Sequence, residues 1–206
     1  DRIIGGINKK SSEETKKVYE LISKGELICT NSKTAEMSKL TENSFRDVNI
    51  AFANELSIIC DKLDINVFEL IKLANHHPRV NILTPSCGVG GHCIAVDPWF
   101  IIKKTPEQAH LLETARQIND YKPKFILNKV AEKIDELIAR GKSLKEIKIS
   151  CLGLSFKPNI DDLRESPAIK IASELSLKYE HQVISVEPHI KNLPELYKDR
   201  KSTRLN

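Results

Sequence analysis

The chain has 206 residues, 40% hydrophobic and 29% charged, enough to bury one or two cores. Its formal net charge of +4 comes from short basic runs (Lys9–Lys10, Lys122–Lys124, Lys142–Lys148) interleaved with acids, and aromatic residues make up only 5%, which argues against a nucleic-acid-binding stripe. No apolar run approaches the ~18–20 residues of a membrane span, the first residues lack a signal-peptide pattern, and five irregularly spaced cysteines (Cys29, Cys60, Cys87, Cys93, Cys151) indicate free thiols in a reducing cytoplasm.

Ser11 to Ser23 predicts an amphipathic helix with Glu13 and Glu14 in its first turn. Asn31 or Ser32 can cap a second helix that runs without Gly or Pro to about Leu63, long enough to organise a domain or a dimer. A short helix (Asn66 to Ala74) and a Pro- and Gly-rich loop (His77 to Asp97) follow, with His76 and His77 placed at the helix end rather than as ligands. Pro106 to Ala139 predicts another long helix, kinked or split at Pro123. From Ile147 the texture changes: a β-branched strand to Leu154, a polar loop, a helix from Ser166-Pro167 to Lys178, and a strand at Gln182–Val186. That is a βαβ unit opening a parallel α/β domain, and one unit alone cannot cover its own sheet.

Three constellations can carry chemistry. On the long second helix Glu36, Lys39, Asn43, Asp47, Ile50 and Asn54 share a face, although asparagine is a poor helix former. A hydrated surface with pairs such as Glu36–Lys39 explains the same spacing. In Ser86-Cys87-Gly88-Val89-Gly90-Gly91-His92-Cys93, three glycines allow close approach to a ligand, and Cys93, four residues before Asp97, sits where a thiolate can be stabilised. A tight connector around a buried cysteine looks similar, whereas metal binding by Cys87, His92 and Cys93 lacks zinc spacing. The segment Gly153 to Pro167 lies where α/β sheets bind ligands and offers Lys157 and Arg164 to phosphates; alternatively Asp161, Asp162 and Arg164 simply pair.

Together, in this order, Lys39-Leu40-Thr41-Glu42-Asn43-Ser44-Phe45-Arg46-Asp47, the Gly88–Cys93 turn with Asp97, and the Phe156-Lys157-Pro158-Asn159 to Ser166-Pro167 loop resemble the UDP-glucose/GDP-mannose dehydrogenase family. His77-Pro78-Arg79-Val80-Asn81 and His92 to Phe100 are most similar to the branch of it that oxidises UDP-N-acetyl-D-mannosamine. Val96 stands where members acting on UDP-glucose usually carry Lys, and Pro85-Ser86-Cys87-Gly88 replaces the family's commoner Pro-Gly-Pro-Gly.

The resemblance implies a three-part parent: an NAD-binding Rossmann domain, a helical domain that forms a homodimer through its long helix, and a Rossmann-like UDP-binding domain. On this reading residues 1–10 are the tail of the first, 11–140 are the mainly α-helical central domain, and 147–198 are the truncated start of the α/β third. The chain alone is then expected to be inactive. Asp199 to Asn206 resembles a translated sequencing adapter. The implied activity is two-step, NAD-dependent oxidation of a UDP-sugar C6 alcohol to the acid, for surface polysaccharide synthesis, without metal. The implied catalytic residues are Cys93 as nucleophile, Lys39 and Asn43 as oxyanion partners, and Asp97 on water or the alcohol. Arg79, Gly90, Gly91, Phe156 and Lys157 fall to the substrate, with Arg79 reaching a neighbouring subunit's site, and Arg164 falls to the cofactor pyrophosphate. Sister enzymes acting on UDP-glucose, UDP-N-acetylglucosamine or UDP-N-acetylgalactosamine, and a non-catalytic dimerisation module, are the alternatives.

Overall fold

A computed structural model describes residues 1–190, so the adapter-like stretch and the end of the expected third domain lie outside the described residues. The chain opens with strand β1 (Arg2–Gly6), helix α1 (Lys9–Glu20) and strand β2 (Leu27–Asn31), the strands parallel and in register from Arg2↔Leu27 to Gly6↔Asn31. Neither strand was expected from the sequence, since each is a five-residue piece that pairs only across α1. Helix α1 packs against both strands. Asn8 caps α1 by accepting from the Ser11 N–H, which starts the helix two residues early. Glu13 and Glu14 therefore leave the first turn and pair along the helix with Lys9 and Lys17.

Helix α2 (Ser32–Lys62) begins as Asn31 accepts from the Thr34 N–H. Its inward face buries Asn43, Asp47, Ala51 and Asn54, while Phe45, Phe52 and Ile59 stay exposed at heptad spacing on the other side. Helix α3 (Val67–Ala74) follows an Asn66 cap. The loop beyond it is braced by Asn75, whose amide donates to the Ile82 carbonyl and accepts its N–H.

Helix α4 (Asp97–Lys104) fills a stretch between the glycine-rich loop and Pro106 to which the sequence reading assigned no element. Its signals were present: Asp97 and Pro98 at the start and Lys103-Lys104 at the end suit the dipole and the missing proline N–H. Helix α5 (His110–Ala139) starts later than Pro106 and is not divided at Pro123. The proline ring fills a space beside Gly88, where it lies 3.2 Å from the position a Cβ would take. A short 3-10 turn (Leu144–Glu146) leads to β3 (Ile149–Leu152), α6 (Pro167–Tyr179) and β4 (Val183–Val186), with β3 and β4 parallel. Ile134 of α5 joins Ile147, Ile171, Leu175, Tyr179 and Val183 in the core of this α/β unit, so α5 belongs to both halves of the molecule.

Candidate functional site

Burial decides what the α2 stripe does. Asn43, Asp47 and Asn54 are 4%, 1% and 0% exposed, so the stripe is not a hydrated face. Lys39 stays largely exposed and pairs with Glu42 at 3.2 Å rather than with Glu36. Buried polar groups need partners, and α5 supplies them. Arg116 donates to Asp47 Oδ1 at 2.7 Å and also contacts Asp120. Asn119 donates to the Asp47 backbone carbonyl at 3.0 Å and to its Oδ1 at 2.8 Å. Asn54 donates to Asn119 Oδ1 at 2.9 Å and accepts the Ser86 N–H at 2.8 Å. Burial pushes the Asp47 carboxyl up, against the pull of Arg116 and Asn119.

The glycine turn hangs from this helix. Ser86 Oγ donates to the Gly88 carbonyl at 2.8 Å. At the other end Asn43 Nδ2 donates to Asp97 Oδ2 at 2.5 Å, and the Val96 and Asp97 N–H groups close onto the Cys93 carbonyl at 3.0 and 2.8 Å. Between them the turn presses against the β3–α6 loop. A Cβ on Gly90 would meet the Glu165 carbonyl at 2.6 Å, and one on Gly91 (φ +84°) the Phe156 ring at 2.9 Å. The Gly91 N–H donates to the Arg164 carbonyl at 3.1 Å.

A cleft of about 580 Å³ results, lined by Lys39, Asn43, Arg46 and Ile50 of α2, by residues 83–84, 86 and 88–94, and by Phe156 and Lys157. It brings together Cys93, Lys39, Asn43, Gly90, Gly91, Phe156 and Lys157. Asp97 reaches the group through Asn43. Arg164 lies beside the turn by its backbone, while its guanidinium forks onto Asp162 and holds that carboxyl down at about 2. That pairing is the alternative the loop sequence left open. Arg79 is exposed and outside the cleft lining. Cys87 packs toward the α/β core, and burial pushes its thiol up, unlike an activated nucleophile. Among the described residues no cluster of His, Cys, Asp and Glu could hold a metal ion, and no helix is long and apolar enough to cross a membrane.

Sequence reasoning missed Arg46, His92 and the Asn54–Asn119 pair. Arg46 could have been found, since it follows Asn43 by one turn. The described side chains lining the cleft include Lys39, Arg46, Lys157 and His92 and none that is acidic, so the cleft favours an anionic ligand.

Residues 33–121 match the central domain, and residues 150–205 the UDP binding domain, of one family. The chain belongs to the UDP-glucose/GDP-mannose dehydrogenase family. It is 57% identical over 205 residues to the UDP-N-acetyl-D-mannosamine dehydrogenase of Campylobacter jejuni, covering 100% of this chain and 49% of that one. It is 58% identical over 194 residues to the NDP-N-acetyl-D-galactosaminuronic acid dehydrogenase of Ralstonia nicotianae, covering 94% and 44%. The solved UDP-N-acetyl-mannosamine dehydrogenase of Staphylococcus aureus superimposes with a TM-score of 0.79 at 47% identity, over 92% of this chain and 44% of that one. The chain thus spans about half the length of the curated relatives it matches. Both family matches contribute to the cleft: Lys39, Asn43 and Cys93 fall in the first, Phe156 and Lys157 in the second.

Proposed function

We propose that the parent enzyme oxidises the C6 primary alcohol of a UDP-sugar to the carboxylate in two steps, with UDP-N-acetyl-D-mannosamine as substrate. The observation that carries this reading is the convergence of Cys93 with Lys39 and Asn43 in a cleft whose lining is cationic and, among the described residues, free of acids. Lys157 and Arg46 suit the negative diphosphate, and Phe156 packs against the glycine turn that presents Cys93. The proposed cofactor is NAD, which supplies the hydride acceptor in both oxidations. Arg164 fits its pyrophosphate, being an exposed guanidinium fixed by Asp162 beside the Cys93 turn. The sequence holds no Gly-x-Gly-x-x-Gly turn, so we propose that these residues alone do not reduce NAD.

The chain's own residues then divide the work. Lys39 and Asn43 stabilise negative charge on the C6 oxygen as the alcohol is deprotonated and oxidised. The Cys93 thiolate adds to the aldehyde carbon, forming a C–S bond and an oxyanion on the same oxygen. Loss of hydride from that thiohemiacetal leaves a thioester, and water attacks its carbonyl, breaks the C–S bond and releases the acid and the thiolate. Asp97, held by Asn43, takes a proton from the alcohol or from the attacking water. The proposed setting is the cytoplasm, where thiols stay reduced. The proposed assembly is a homodimer through α2, whose exposed Phe45, Phe52 and Ile59 form an apolar stripe. The Ralstonia relative favours UDP-N-acetylgalactosamine as the second substrate reading.

In the full-length enzyme, Cys93→Ser should abolish acid formation while a trace of the first oxidation survives. Lys39→Ala should slow both oxidations by ~10²–10³-fold. Stopped-flow NADH traces separate the two. Undiminished acid production by Cys93→Ser removes Cys93 as nucleophile.

A further inference from the structure

The stripe of polar residues on α2 does more than supply Lys39 and Asn43. Asn54 is fully buried, yet asparagine is a poor helix former, and its whole side chain is committed to two partners. Its amide donor goes to Asn119 of α5, itself 1% exposed and anchored on Asp47. Its oxygen accepts the N–H of Ser86, the first residue of the glycine turn. Ser86 passes the constraint on, its hydroxyl donating to the Gly88 carbonyl at 2.8 Å. The far end of the same segment is fixed at Asp97 by Asn43. Asn43 and Asn54 lie about three turns, or about 16 Å, apart on one helix. The segment that bears Cys93 is therefore slung between two asparagines of α2, with its middle clamped against Phe156 and the Glu165 carbonyl.

We propose that Asn54 is a positioning residue for Cys93, fixing through Ser86 the entry to the turn as Asn43 fixes its exit. The assignment rests on the reading of Cys93 as the nucleophile. The tether itself does not depend on that chemistry and is measured separately. A buried amide that served only to join α2 to α5 would not need its oxygen turned toward a loop N–H.

Hydrogen exchange on the chain as it stands tests the tether. Asn54→Leu keeps the branching and heavy-atom count of the side chain and removes both hydrogen bonds. Amides of residues 86–93 should then exchange about tenfold faster or more, while those of the α5 segment around Ile134 hold their wild-type rates. Ser86→Ala is an exposed change that folds whatever the helix pair tolerates, and it cuts the link to Gly88. It should speed exchange at residues 88–93 alone. Unchanged turn exchange in Asn54→Leu, or in Ser86→Ala should the former not fold, overturns the proposal. In the full-length enzyme Asn54→Leu should lower kcat on the order of 10²-fold with KM within about twofold, the signature of a misplaced reacting group. A rise in KM at unchanged kcat also overturns it. If instead the tether behaves as expected but Cys93→Ser still makes acid, the nucleophile assignment fails and the tether stands.

Discussion

Removing Arg116 should cost far more than neutralising the carboxylate it faces. Arg116 and Asp47 are 2% and 1% exposed, and each has a second partner of unequal quality. Without Arg116, Asp47 retains one charge in a buried helix interface with the Asn119 amide on its side chain. Breaking one partner out of a buried pair costs about 3–5 kcal/mol. Asp47→Asn, by contrast, keeps an oxygen for Arg116 and Asn119 and leaves Arg116 its contact with Asp120. The new amide nitrogen takes the place of Oδ2, which has no hydrogen-bond partner. That change should cost about 1–2 kcal/mol. Urea titration of Arg116→Met and Asp47→Asn therefore should separate them by about 2 kcal/mol or more at pH 7. The gap also has a pH signature. Burial already raises the Asp47 carboxyl above its ordinary 3.8, and losing the guanidinium raises it further. A group whose folded pKa exceeds its unfolded value makes stability fall as pH rises through the window between them. Arg116→Met should thus recover part of its loss as the pH is lowered from 7 toward the ordinary 3.8 of the carboxyl. Equal costs for the two variants, or a deficit that grows on acidification, would refute the argument.

Gly90→Ala should abolish the proposed oxidation in the full-length protein with little loss of folded material, because its Cβ would lie 2.6 Å from the backbone carbonyl of Glu165 and must push the turn off the β3–α6 loop; circular dichroism and an NADH assay on one preparation check both halves. Phe52→Glu places a charge in the middle of the exposed α2 stripe and should convert the proposed dimer to monomer in sedimentation velocity at micromolar concentration, whereas a dimer unchanged by it would move the proposed interface elsewhere.

The membership of the candidate cleft was legible through the family resemblance of three segments rather than through spacing alone. Lys39, Asn43, Cys93, Gly90, Gly91, Phe156 and Lys157 were named from their segments and line one cleft. The direction of the α2 stripe was not legible, because its partners Arg116 and Asn119 arrive from 69 and 72 residues away on another helix. A face of Asn and Asp looks alike from either side until that helix is placed. The β1–β2 pair escaped for the same reason, as short apolar runs bond only across α1. Helix α4 was left unassigned although its signals are local, Asp97-Pro98 at its start and Lys103-Lys104 at its end. Arg79 was named from its segment, yet among the described residues it is not part of the cleft lining.

Helix α5 runs 30 residues without a break, a rod of about 45 Å. One stretch of it grips α2 through Arg116 and Asn119, and another is embedded beside β3 and α6 through Ile134. The cleft lies between α2 with its glycine turn at one grip and the β3–α6 loop at the other, so the count of residues between them acts as a ruler. Inserting a single residue between Asn119 and Ile134 would turn everything beyond it by about 100° and lift it by about 1.5 Å. Phe156 and Lys157 would swing away from Cys93 although no residue of the cleft had changed. Insertions and deletions are absorbed readily by surface loops; in this rod, far from the thiol, they dismantle the site.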